Sequence, residues 1–282
     1  MTDEEAFLQH LDQTPDDDTA RLVYADWLDE SGPSSRAAFL RAECQWAVSP
    51  LTFQRFQWKP GLGADDLGCP PVLRALTDLA PAVPGDWFVR CSRVVWEVRS
   101  LVRRFAALVP GVHLGDPTDP LEQRARWVAA TQRVREMFER YVGEKTALAR
   151  FAMPADYLAF ALCSDGIECP DEFGMSYFDL LHNTSALAAR TAGHCATYVH
   201  THGPQADFAA CGLWLFVGNR DRHDFHLCCD RASPLFGTLV DMNDSHPWIS
   251  PPHGPTPSSV VARCFLDFLR LQAAKAEDEF GA

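Results

Sequence analysis

Between Gly212 and Trp248 the chain reads GLWLFVGNRDRHDFHLCCDRASPLFGTLVDMNDSHPW, with three histidines, the adjacent cysteines Cys228 and Cys229, and aspartates beside its apolar runs. Imidazole, thiolate and carboxylate are the donor types of a zinc site. Read as a strand, HDFHLCCD places Asp224, His226, Cys228 and Asp230 on one face and His223, Phe225, Leu227 and Cys229 on the other. His226 and Cys228, with His200 and His202 from another strand, are the candidate metal ligands. Neighbouring donors on one strand face lie about 6 to 7 Å apart, too wide for a tetrahedral ion without a bulge or flanking loops. The competing reading is an antiparallel sheet with one solvated face and incidental histidines, which needs no metal or other cofactor.

Nucleophilic chemistry is the next candidate. Cys195 follows His194, and Cys211 precedes Gly212, but neighbours on a strand point to opposite faces and form no direct pair. A Cys and His pair would have to come from separate strands. The chain has no GxSxG, P-loop, HExxH or CxxC motif. NRDRHD resembles a kinase catalytic loop only superficially, lacks its asparagine, and reads as a hairpin turn.

The acidic residues in or beside connectors, Asp165, Asp221, Asp224, Asp241 and Asp244, carry the other functional reading. Aspartate favours such places because its carboxylate hydrogen-bonds turn backbone. The same carboxylates could form a negative rim that steers a basic partner into place. Trp214, Phe216 and Trp248 are assigned to the core.

The elements that must position these residues divide the chain into three stretches. Residues 1–48 read as a helical unit: Phe7, Leu8 and Leu11 share one helix face, and the aspartates of TPDDD cap a second helix bearing Leu22, Val23, Trp27 and Leu28. A third helix, from Ser35, carries Ala38, Phe39, Ala42 and Trp46. Residues 49–118 combine a Pro/Gly-rich linker, one short helix over Val72–Leu79, and a helix with an apolar stripe at Val94, Val95, Val98, Leu101, Val102 and Phe105. Its other face carries Arg93, Arg99, Arg103 and Arg104, expected to pair with acids of the N-terminal unit.

Residues 119–282 open with Asp119 and Pro120, a cap and first-turn pair for a long helix to about Arg150 with contacts at Val128, Val134, Phe138, Tyr141 and Leu148. A proline-led helix, MPADYLAFALCSDG, follows. Strands are expected over Phe173–Leu181, Ala196–His200, Phe208–Val217, His223–Cys228 and Gly237–Met242, with a helix over Ser185–Thr191. The last helix carries Val260, Val261, Cys264, Phe265, Phe268 and Leu269. Helices, then an antiparallel sheet, then a closing helix make an α+β chain.

Composition narrows the class. At 282 residues the chain is long enough for about two domains and a substantial core. Its formal charge of −13 argues against direct nucleic-acid binding and suits a basic partner. The start lacks a basic and apolar leader, no apolar run reaches membrane-spanning length, and the ten cysteines are scattered, so a cytoplasmic protein with free thiols and no membrane contact is expected.

Two resemblances add to this reading. RLVYADWLDESG, after its aspartate-rich turn and before RAAFLRAECQ, resembles the repeat-companion domain found at the N-termini of many planctomycete proteins, which implies no activity. The order of PADYLAFALCSDG, LWLFVGNRDRHDFHLC, PLFGTLVDMNDSHPW and SSVVARCFLDFLRLQ resembles the SUKH superfamily of Smi and Knr type, over roughly residues 120–275. That resemblance implies a non-enzymatic protein-binding scaffold, in bacteria most often an immunity protein that neutralises a toxin, frequently a nuclease. The chain departs from it with SDG where Asn-Gly is usual and with an insertion between about Leu181 and Ala206. Partner-facing residues vary across the family, so none is transferred by position.

Overall fold

The computed structural model describes residues 2–32, 34–48, 71–115, 120–168, 180–181, 183, 186–202, 212–220, 223–242 and 259–281. Three helices come first: α1 (Asp3–Gln13), α2 (Asp18–Ser31) and α3 (Ser34–Val48). Thr2 and Asp17 cap the first two, with Asp17 Oδ1 accepting the Ala20 N–H at 2.9 Å, so the aspartate-rich turn acts as the cap its composition suggests. The buried face of α2 is Arg21, Tyr24, Ala25 and Leu28. Leu22 and Val23, expected inside, are exposed; the stripe is rotated because an arginine takes an inner position.

The middle stretch is more helical than expected. The short helix appears as α4 (Pro71–Leu79), and α5 (Gly85–Cys91) and α6 (Arg93–Leu108) follow. Trp87 and Phe88 of α5 pack on Phe39 of α3, and Trp87 Nε1 donates to the Tyr24 hydroxyl at 3.0 Å. Arg93 pairs with Asp18 as anticipated, but Arg104 pairs with Glu277 near the C-terminus. One apolar cluster runs from Leu8 through α6 to Ala276, so the expected stretches share a core.

The remaining helices are α7 (Pro120–Val142), α8 (Glu144–Arg150), α9 (Ala155–Cys163), α10 (Leu187–His202) and α11 (Phe265–Phe280). The single long helix expected to reach Arg150 is broken at Gly143, whose φ of 87° is open to glycine at little cost. Val128 and Leu148 are exposed, and Trp127, Ala130 and Met137 take the inner positions beside Val134 and Phe138.

Among the described residues, seven short strands form one antiparallel sheet in chain order: β1 (His113–Leu114), β2 (Ile167–Glu168), β3 (Leu180–Leu181), β4 (Trp214–Arg220), β5 (His223–Cys228), β6 (Leu239–Asp241) and β7 (Val260–Ala262). The architecture is therefore α+β with a C-terminal sheet. Two assignments change. Ala196–His200 is helix rather than strand, part of α10, whose Leu187 and Cys195 are buried. Val260 and Val261 lie in β7, and the closing helix starts only at Phe265. β-Branched residues suit an edge strand, and Cys264 in extended conformation forms the corner. Residues 169–179 and 203–211, where parts of two expected strands fall, lie outside the described residues, as does Asp119.

Candidate functional site

The paired strands β4 and β5 hold the residues whose types first suggested chemistry. Their register sets Trp214 opposite Cys228, Phe216 opposite His226 and Arg220 opposite His223. A bulge between Phe216 and Gly218 breaks the ladder, and there the Phe216 N–H donates to Thr191 Oγ1 of α10 at 3.1 Å. That bond fixes α10 across one face of the sheet. His194 of α10 then stacks on Phe216, ring centroids 3.8 Å apart, with His226 edge-on to it at 5.8 Å. The opposite face lies against α11, where Phe225 meets Phe268.

Over Trp214–Val217 and Phe225–Cys228 neither face of this pair is therefore solvated, contrary to the expected one-sided sheet. Trp214–Val217 and Phe225–Asp230 are all buried. His226 and Cys228 are fully buried. Burial pushes the Cys228 thiol up to about 12 and the Cys229 thiol well above its usual range, which favours the neutral thiol at both. Cys195, expected on a strand, is on α10 and is pushed up to about 12 by the same cause. His200 is exposed, six residues beyond His194 and so about 9 Å further along α10. His202 ends that helix. Among the described residues no group of three or more His, Cys, Asp or Glu side chains is placed to hold a metal ion. Asp230, on the expected ligand face, is buried and takes the Arg150 guanidinium in a two-point ion pair.

The acidic candidates separate. Asp224 and Asp241 lie at the same end of the β5–β6 pair, where β5 begins, but on opposite faces of the sheet. Asp241 lies opposite Phe225, and the Asp224 carbonyl accepts the Met242 N–H at 3.0 Å. Each carboxylate faces a histidine, and only Asp241 is within hydrogen-bond distance of its own. Asp241 Oδ2 is 2.7 Å from His223 Nδ1, and Asp224 Oδ2 is 3.8 Å from His194 Nδ1. Burial lowers the His194 pKa, with Asp224 opposing that effect and Arg190 adding to it. Both carboxylates keep about a quarter of their side-chain surface in water, 28% for Asp224 and 22% for Asp241.

Asp165 is elsewhere. It precedes β2, three strand positions from β5 and so on the order of 14 Å away. Its N–H donates to the Gly115 carbonyl at 2.8 Å, and Gly166 takes φ 98° to turn the chain into β2. Asp221 and Asp244 lie outside the described residues, as does Trp248; Trp214 and Phe216 are core, as expected.

One polar cluster escaped the sequence reading. Arg21 is 1% exposed and reaches Glu43 Oε2 at 3.3 Å, the Pro15 carbonyl at 2.7 Å and the Cys91 carbonyl. The other oxygen of Glu43 accepts the Ser92 hydroxyl and the Val94 N–H at 3.2 Å. Arg21 and Glu43 look like surface residues by type; the only hint was that Arg21 falls in phase with Tyr24 and Leu28.

No helix among the described residues is long and apolar enough to cross a membrane. A scan against protein-family models matches no family, and comparison with curated proteins and with solved structures returns no match.

Proposed function

We propose that this chain is a non-enzymatic protein-binding module of immunity or adaptor type, meeting a basic partner such as a nuclease toxin through the acidic end of β5 and β6. The observation that carries this reading is the division of labour within one strand pair. His226, Cys228 and Cys229 are used as core, while Asp224 and Asp241 sit at one end of the β5–β6 pair, one on each face of the sheet, with part of each carboxylate in water. The His223 hydrogen bond fixes the Asp241 carboxylate before a partner arrives, which lowers the ordering cost of binding. An incoming arginine can displace His223 from Asp241 and make the stronger charge-assisted pair. The SUKH resemblance supports the same reading through the order of α9, the strands and α11. We place the protein in the cytoplasm, a compartment that keeps thiols such as its seven described free cysteines reduced.

Affinity capture from native cells, followed by reconstitution with the purified partner, tests this. The reading expects a basic protein whose affinity falls about tenfold or more in Asp224→Asn/Asp241→Asn and falls again with added salt. Capture of abundant housekeeping proteins alone, or a partner indifferent to both carboxylates, would count against it.

A further inference from the structure

The outer face of α6 differs from the rest of this acidic protein. Helical spacing puts Trp96, Arg99, Ser100, Arg103 and Ala107 in one stripe, opposite buried Val94, Val98, Val102 and Phe105. Trp96 is 43% exposed, unusual for the largest apolar side chain. Arg93 and Arg104, at the borders of the stripe, are taken up by Asp18 and Glu277. Arg99 hydrogen-bonds the Cys163 thiol, and neither Arg99 nor Arg103 meets a carboxylate among the described residues.

A complementary stripe lies on α2. Leu22 and Val23 are 42% and 51% exposed, and Asp26, Asp29 and Glu30 follow on the same outer side. Arg41 bridges Asp26 and Asp29 at 2.8 and 2.6 Å, which leaves the patch net negative. The Arg93–Asp18 ion pair, at 2.6 Å, ties the start of α6 to the start of α2. The ion pair brings the starts of the two helices together, one carrying the basic and aromatic stripe and the other the acidic and aliphatic one.

We propose that the occupant of this surface is a second copy of the chain, related by a twofold axis. A 180° rotation lays the Trp96–Arg99–Arg103 end of each copy on the Leu22–Val23–Glu30 end of the other, so both apolar patches are covered and both charge excesses are met. Helices of 14 and 16 residues are about 21 and 24 Å long, and faces about 10 Å wide bury on the order of 900 Å² in total. That area is below the standard interface, so the pair is weak and reversible.

Sedimentation equilibrium of the full chain, from micromolar to submillimolar concentration at low and high salt, tests the pair together with two charge reversals. The wild type is expected to dimerise at low salt and to lose about tenfold in affinity at high salt. Arg99→Glu/Arg103→Glu and Asp26→Lys/Glu30→Lys are each expected to be monomeric alone, yet to form a 1:1 dimer when mixed, because both contacts are then restored. Circular dichroism reports whether each variant is folded, and Arg99→Gln/Arg103→Gln, expected to weaken the dimer without reversing charge, replaces the first if it is not. A wild type that stays monomeric at low salt, a dimer untouched by either reversal, a mixture that stays monomeric, or assemblies larger than two would each overturn the proposal.

Discussion

The N-terminal bundle and the C-terminal sheet both bury polar side chains, but the bundle buries both members of an ion pair, whereas beside the sheet only the Asp230 member of one is buried and His226, Cys228 and Cys229 pack within the core. In the bundle, Arg21 and Glu43 form an ion pair 1% and 0% exposed at the side chains, completed by backbone carbonyls, an N–H and the Ser92 hydroxyl. Such a cluster is tolerated only because every charged group has partners, and it is costly to break. In the sheet, His226 packs edge-on to His194, and Cys228 and Cys229 fill space as small apolar groups. The lesson is that side-chain type ranks these residues in the wrong order. The buried ion pair belongs to residues that resemble surface charges, and the histidine and cysteines that resemble a reaction centre lie in the interior.

That contrast can be broken or sharpened by substitution. The largest effect is expected in the bundle: Arg21→Ala or Glu43→Ala should each cost about 3 to 5 kcal/mol in urea unfolding, because the remaining charge is stranded. The double variant Arg21→Met/Glu43→Leu should recover part of that loss. Asp156 comes next. It is fully buried at the start of α9, where its oxygens accept the Tyr157 and Leu266 N–H groups at 2.9 Å, and burial pushes its carboxyl up to about 6. Between the unfolded value near 3.8 and the folded value of about 6 the folded chain holds one more proton than the unfolded chain. Stability should thus fall as pH rises from about 4 to about 6, by up to about 3 kcal/mol, and level off above that window. Replacing Asp156 with Asn should flatten that part of the pH profile.

Smaller effects are expected in the sheet. Cys228→Ala should cost about 1 kcal/mol, the loss of one small buried group, and leave partner binding intact. Least of all, His223→Ala should change stability by about 0.5 kcal/mol, since the His223–Asp241 pair is partly exposed. A Cys228→Ala or His223→Ala variant that costs as much as Arg21→Ala would erase the distinction between the two interiors.

Much of the fold was legible in sequence, and the exceptions have physical causes. Caps and turn chemistry located α1, α2 and α9, and period-two alternation with the NRDR turn located β5 within its observed bounds. The helix α10 was partly misread because ATYVH has strand-like residues, and the packing of Leu187, Thr191 and Cys195 overrides that local preference. Strands β1, β2 and β7 have only two or three residues, too few for a period to show. Of the candidate site, the placement of Asp224 and Asp241 at one end of β5 and β6 follows from the hairpin and the next strand. The cover that α10 places over His226 does not, because it depends on one Thr191 hydroxyl reaching a bulge 25 residues away. Alternation separates the two faces of a strand, but it does not say whether each face meets water or a helix.

The claim that His226 and Cys228 belong to the interior is tested most directly by following the labelling of Cys228 with a thiol reagent, peptide by peptide, as denaturant is raised. A core thiol labels only when the chain opens, so its rate should rise with denaturant along the same slope as global unfolding and be indifferent to added zinc. Rapid labelling in the native state, or protection by zinc, would contradict the account and return the site to metal or thiolate chemistry.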